Sequence, residues 1–279
     1  MRRLCALLAV VAIALSGCTP VTGGPQADSR PAAIADEPRA SAARDLVNTW
    51  VVEGQTGSTQ LLISGDEYVV WDDCGVWTGF WAAYAGTALF GNEQGYDECS
   101  TLASRGDTSW LADVTGYAGD SNSMALTDST GVTVAILTPS ATEADLSEYS
   151  TEFLIRPETD EDLDTRFPER APLPEESAIA ENIAGTWHLV GGEPKTLVTF
   201  AEQGNISGYD GCNWFGADKW SYDRMGNFLS TGIGMTQRAC LDADAFEVYR
   251  MTTAGMVGDE LVLYDFEGAE IARAERVGS

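Results

Sequence analysis

The chain has 279 residues, in which 43 acidic side chains face 16 basic ones, for a formal net charge of −27. That balance excludes nucleic-acid binding by phosphate neutralisation, and it leaves no basic face to hold an anionic lipid surface. The single histidine, His188, is all that a Ser-His-acid arrangement would have to draw on.

In chain order, the first element is an export leader. Arg2 and Arg3 precede an apolar run, Leu4 to Leu15, that is short for a membrane span. It ends in Leu15-Ser16-Gly17-Cys18, which resembles the lipobox of bacterial lipoproteins. The resemblance implies a signal peptide over 1–17, lipidation of the Cys18 thiol, and cleavage that leaves Cys18 as the new terminus. Loss of the two leader arginines takes the net charge from −27 to −29. Membrane contact is then expected through the acyl anchor alone, at the outer face of the bacterial plasma membrane. Residues 18–42 are rich in Pro, Ala, Gly and Ser and are predicted to be a disordered tether.

The remainder repeats itself. Asn48-Thr49-Trp50 matches Gly185-Thr186-Trp187, and Trp50 lies 24 residues before Cys74 as Trp187 lies 25 before Cys212. Cys99 follows Cys74 by 25 residues, and Cys240 follows Cys212 by 28. Each half closes in a hairpin pattern, with turns at Asp128 to Gly131 and near Glu267-Gly268. Two homologous domains are expected, over 43–139 and 180–279, joined by an acidic, proline-containing linker over 140–179 that should be largely solvated. Tyr149 to Ile155 is the stretch of the linker apolar enough to lie against a domain.

Within the second repeat, Thr196 to Phe200 and Ile206 to Tyr209 read as strands around a turn at 202–205, and Asp210-Gly211-Cys212-Asn213 as a sharp bend. Asp242-Ala243-Asp244-Ala245 opens a predicted helix that presents Phe246 and Tyr249 to the sheet and stops at Gly255. Ser109 to Val114 is the weaker helix candidate of the first repeat. Antiparallel strands, frequent glycines and one short helix per repeat indicate a mainly β protein of two small curled sheets or barrels.

With Cys5 in the leader and Cys18 lipidated, two cysteines remain in each repeat. Pairing within repeats gives Cys74 with Cys99 and Cys212 with Cys240, each worth roughly 3 to 3.5 kcal/mol on the chain-entropy model. A metal site is disfavoured because no CxxC is present. Asp242, Asp244 and Glu247, or the run from Asp160 to Asp164, lack the spacing of a calcium loop.

The second repeat resembles the META domain, also called HslJ-like, through Gly185-Thr186-Trp187, Gly208-Tyr209-Asp210-Gly211-Cys212-Asn213, Thr236-Gln237-Arg238-Ala239-Cys240 and Gly258-Asp259-Glu260-Leu261. Gly211, Cys212, Asn213, Thr236 and Cys240 carry its motif. The resemblance implies a small antiparallel barrel of lipocalin-like topology with one short helix and a cell-envelope location; members are linked to heat shock, drug tolerance and virulence. The first repeat departs from the pattern, with Asp73 and Gly75 around Cys74 and no Thr four residues before Cys99, and reads as a diverged copy.

Aromatics crowd both first cysteines. Large rings beside a disulfide read first as core, while Trp77, Trp81, Trp214 and Trp220 form the candidate binding surface if they face outward. The expected function is that of a non-enzymatic envelope protein, without a cofactor, that binds a partner or supports envelope integrity under stress. The alternatives are a lipocalin-like carrier of a small apolar ligand and a protein-binding inhibitor module. Replacing Cys18 with Ala is expected to move the protein from the membrane fraction to the soluble one; persistence in membranes on fractionation contradicts the anchor.

Overall fold

The computed structural model describes residues 41–55, 58–72, 75–97, 108–141, 159–238 and 246–278. The first unit opens with a single turn, α1 (Ser41–Arg44), followed by β1 (Asn48–Glu53), β2 (Gln60–Ser64), β3 (Glu67–Asp72), β4 (Gly75–Tyr84) and β5 (Thr87–Asp97). The short helix α2 (Ser109–Asp113) leads into β6 (Gly116–Asp120), β7 (Ser123–Thr127) and β8 (Thr133–Pro139). These eight strands form a closed antiparallel barrel in sequence order. On β4, Gly75, Trp77, Gly79, Trp81 and Ala83 are buried in strict alternation, the period-two signature of a strand with one face on the core. Trp50, Leu61, Ile63, Tyr68, Phe90 and Met124 are each almost wholly inaccessible and fill the middle. Glycines make room for the rings. A Cβ at Gly95 would lie 1.9 Å from Trp77, its cross-strand partner, and one at Gly79 would lie 2.6 Å from Tyr68.

After α3 (Asp160–Arg166), the second unit comprises β9 (Gly185–Leu189), β10 (Leu197–Phe200), β11 (Ile206–Tyr209), β12 (Trp214–Ala217), β13 (Trp220–Tyr222), β14 (Phe228–Ser230) and β15 (Gly234–Met235). A 3-10 turn (Val248–Arg250) precedes β16 (Thr253–Val257), β17 (Glu260–Tyr264) and β18 (Glu270–Arg276). Eight of these strands form an open sheet in the order β15-β12-β11-β10-β9-β18-β17-β16, and β13 pairs with β14 separately.

One interaction is made twice, once in each unit. The Trp50 indole donates to the Leu46 carbonyl at 2.8 Å, and the Trp187 indole to the Ile183 carbonyl at 2.8 Å. In both cases the acceptor lies four residues earlier. Trp50 sits opposite Leu61 and Pro139, and Trp187 opposite Val198 and Arg276, so the partners lie 11 and 89 residues onward in both units.

Two expectations need correction. A second closed barrel is not seen: β15 and β16, the ends of the open sheet, are not paired. The first barrel closes through Thr87 opposite Gly116. In the second unit β15 has two residues, and hairpin β13–β14 instead meets β16 through a bridge between Asn227 and Thr253. Over its described part, from Phe246 to Gly255, the expected helix is also replaced. Residues 239–245 lie outside the described ones, and beyond them come one 3-10 turn and a strand. Pairing of Thr253 to Val257 with β17 overrides the helical spacing of Phe246 and Tyr249; Phe246 packs partly on the core while Tyr249 is 50% exposed.

The described part of the linker is a strap with most of its side chains exposed, fastened at a few points. Phe167 packs on the first core, its ring 5.9 Å from Trp81. The Ala171 amide donates to the Phe266 carbonyl, and Ala178 pairs with Met256 through two backbone hydrogen bonds. Leu173 lies against Gly226 and Gly255, where a Cβ on Gly255 would come within 2.9 Å of it. Both units fall within one compact body of the chain. Tyr149 to Ile155 lies outside the described residues.

Tyr84 and Thr87 flank the two-residue turn Ala85-Gly86. Ala85 adopts φ +48°, a left-handed conformation suited to Asn or Gly in a hairpin of this kind. Ala85→Asn is expected to stabilise the protein by about 0.5 to 1 kcal/mol, read as a raised urea midpoint; a lowered midpoint would contradict this turn geometry.

Candidate functional site

The bend at Asp210 to Asn213 is a hydrogen-bonded clasp. Gly211 takes φ +105°, a conformation glycine adopts without cost. The Asp210 carboxylate, 3% exposed, accepts from the Cys212 amide at 2.8 Å and the Asn213 amide at 2.6 Å. The Asn213 side-chain oxygen accepts from the Thr236 hydroxyl at 3.1 Å and the Arg238 amide at 2.8 Å. The Thr236 hydroxyl in turn accepts from the Trp214 amide at 3.1 Å. The resembled motif thus fastens β12 to the segment after β15, with its groups engaged in holding the backbone. The Cys212 sulfur is buried and lies 3.6 Å from the Arg238 carbonyl oxygen. Cys74, Cys99 and Cys240 lie outside the described residues, as does Cys18.

The four tryptophans are not brought together as a surface. Trp77 and Trp81 are 8% and 3% exposed inside the barrel. Trp220 is half-buried, donates to the Ala201 carbonyl at 3.1 Å and packs with Phe200 and Phe228. Trp214 alone of the four is open, 54% exposed, with its ring 5.1 Å from Tyr209. Tyr209 in turn carries the Lys195 ammonium over its face.

His188 stands on β9 with its Nε2 atom 3.0 Å from the Glu193 carbonyl oxygen. Asp162 closes a capping box with Thr159 at the start of α3, which holds its carboxyl below the usual range, and Asp164 pairs with Arg44. No group of three or more potential metal ligands occurs among the described residues.

A cleft of about 460 Å³ lies at the seam of the two units and the strap. Trp81 to Tyr84 of β4 contribute one wall, and Leu229, Ser230 and Tyr249 to Thr252 the other; Phe167, Pro168 and Arg170 come from the strap. Its charged lining is Arg166, Arg170, Arg250 and Asp66, a positive balance in a strongly acidic chain. Arg250 is bonded to Glu247 at 2.7 Å and Asp265 at 3.0 Å, and Arg166 approaches Asp66 at 3.9 Å. Arg170 differs. Its Nη1 atom donates to the Phe228 carbonyl at 2.8 Å and the Thr252 carbonyl at 2.7 Å, and its guanidinium lies 3.8 Å from the centre of the Tyr84 ring. Burial pulls the group down to about 10, so it remains charged at neutral pH. Sequence reasoning missed this site because a lone arginine in a linker carries no spacing signal.

Comparison with protein-family models, curated proteins and solved structures found no match to this chain. No helix among the described residues is long and apolar enough to cross a membrane.

If the clasp is structural, Asp210→Ala is expected to lower unfolding free energy by about 2 to 3 kcal/mol and Asn213→Ala by about 1 to 2 kcal/mol in urea titrations. Unchanged midpoints for both would show that the clasp does not carry stability.

Proposed function

We propose that this is a non-enzymatic cell-envelope protein that acts by binding, anchored to the outer face of the plasma membrane by a lipid on Cys18. It belongs on this reading with the META-type proteins, the second unit as the clearer copy and the first as a diverged one. The Asp210–Asn213 clasp supports that assignment by giving the motif residues a physical task. Disulfides joining Cys74 to Cys99 and Cys212 to Cys240 complete the reading. The registers that set Gly75 opposite both Asp72 and Asp97, and the approach of the Cys212 sulfur to the Arg238 carbonyl, support them.

The cleft at the seam carries the proposal. It has the volume and the mixed apolar and polar lining of a small-molecule site. The core of the first barrel is packed with side chains, which favours a ligand held between the units over one carried inside a barrel. Binding there couples ligand to the mutual fixing of the two units, a physical route to envelope support under stress. The exposed Trp214 beside Tyr209 favours a second reading, a protein-binding module on the outer face of β11 and β12.

A neutral apolar probe, 1-naphthylacetamide, tests the first reading on the mature chain carrying Cys18→Ser. Calorimetry should show one site, abolished by Ala82→Trp, which fills the cleft, and unaffected by Trp214→Ala. Binding lost in the Trp214 variant and retained in the Ala82 variant would move the site to the second surface. No binding would reject the cleft.

A further inference from the structure

We infer that the cleft recognises a small organic monoanion, a carboxylate on a ring-bearing or otherwise apolar body, through the free edge of Arg170. The inference rests on the cleft reading above and adds to it the charge of the ligand. A guanidinium has five N–H donors in a fixed fork. The two on Nη1 are satisfied by the Phe228 and Thr252 carbonyls, which fixes the plane of the group against Tyr84. The Nε and Nη2 donors make no hydrogen bond to a described residue, and Arg170 forms no ion pair with a described carboxylate. Neither of these nitrogens is sealed from solvent as an unpartnered buried atom. That edge carries two parallel N–H bonds, the spacing that a carboxylate accepts in bidentate fashion.

The surroundings agree. A half-buried cation is costly unless something offsets it; Asp223 is near enough to act on Arg170 through space but spends its oxygens on the Met225 and Asn227 amides and the Asn227 side chain, and the other acids nearest the cleft are also engaged. Glu247 and Asp265 both hold Arg250, and Asp66 faces Arg166. The rest of the wall is suited to an apolar body, with Phe167, Met251 and the exposed rings of Tyr249 and Phe266 along it. The net charge of −27 repels anions at long range. An anion is therefore retained only by a local, geometrically matched contact, and this arginine supplies one.

The test compares 1-naphthylacetate with its neutral amide, 1-naphthylacetamide, by calorimetry on the mature Cys18→Ser chain. The carboxylate should bind at least about tenfold tighter than the amide, the worth of one charge-assisted pair. Arg170→Gln, whose side-chain amide can still donate to the Phe228 and Thr252 carbonyls, should weaken the carboxylate at least about tenfold more than it weakens the amide, bringing the ratio near one. Arg170→Lys, which keeps the charge and loses the fork, should leave an intermediate preference; melting curves recorded alongside identify any variant that has lost its fold. If the wild-type chain binds both probes equally, the ligand is not an anion and the cleft reading stands. If it binds neither, both fall. A preference for the carboxylate that survives in folded Arg170→Gln would place the anion site elsewhere and overturn the inference.

Discussion

The guanidinium of Arg170 is the constraint on which the arrangement of this protein turns. It stacks on Tyr84 of the first unit and binds the Phe228 and Thr252 carbonyls of the second, so one side chain of the strap touches both. Those carbonyls lie where hairpin β13–β14 meets the start of β16, at the side on which the second sheet is open. An apolar side chain there would leave both oxygens without this donor. The carbonyls and the aromatic face in turn offset part of the cost of withdrawing the charge from water. Phe167 on one side of the arginine and Ala171, Leu173 and Ala178 on the other then fix the strap's course, and that course defines the cleft.

The two units have one core feature in common and differ away from it. The buried tryptophan, its hydrogen bond to the carbonyl four residues back and its two cross-strand neighbours are common to both. Away from that feature the units separate. The first continues through a long β4–β5 ribbon to closure, whereas the second exchanges that ribbon for short strands and a side hairpin. Glycines opposite aromatics recur in both, as Gly79 beneath Tyr68 and Gly208 beneath Phe215. Removing the Cβ lets a large ring lie across the neighbouring strand.

Much of this was legible in residue patterns, and the failures share a cause. The hairpins β7–β8, β10–β11 and β17–β18 follow from alternation and turn residues, which are local properties, as does α2. Closure is not local: it depends on whether β5 and β6 meet, and no periodicity records that. Phe246 and Tyr249 have helical spacing, yet strand pairing of Thr253 to Val257 decides the segment. The tryptophans show the same limit. Trp77 and Trp214 occupy similar places in the repeated phrase, but β4 turns the first inward while β12 leaves the second in solvent. The linker composition suggested solvation because its charges are many; the few residues that dock, Phe167, Arg170 and Leu173, are invisible in an average.

The central claim is that the strap locks the two units into a single orientation through Arg170. Residual dipolar couplings of backbone amides from both units of the mature chain test it directly. One alignment tensor should fit the two sets in the wild type, and two should be required in a folded Arg170→Ala variant. Two distinct tensors in the wild-type protein would contradict the account.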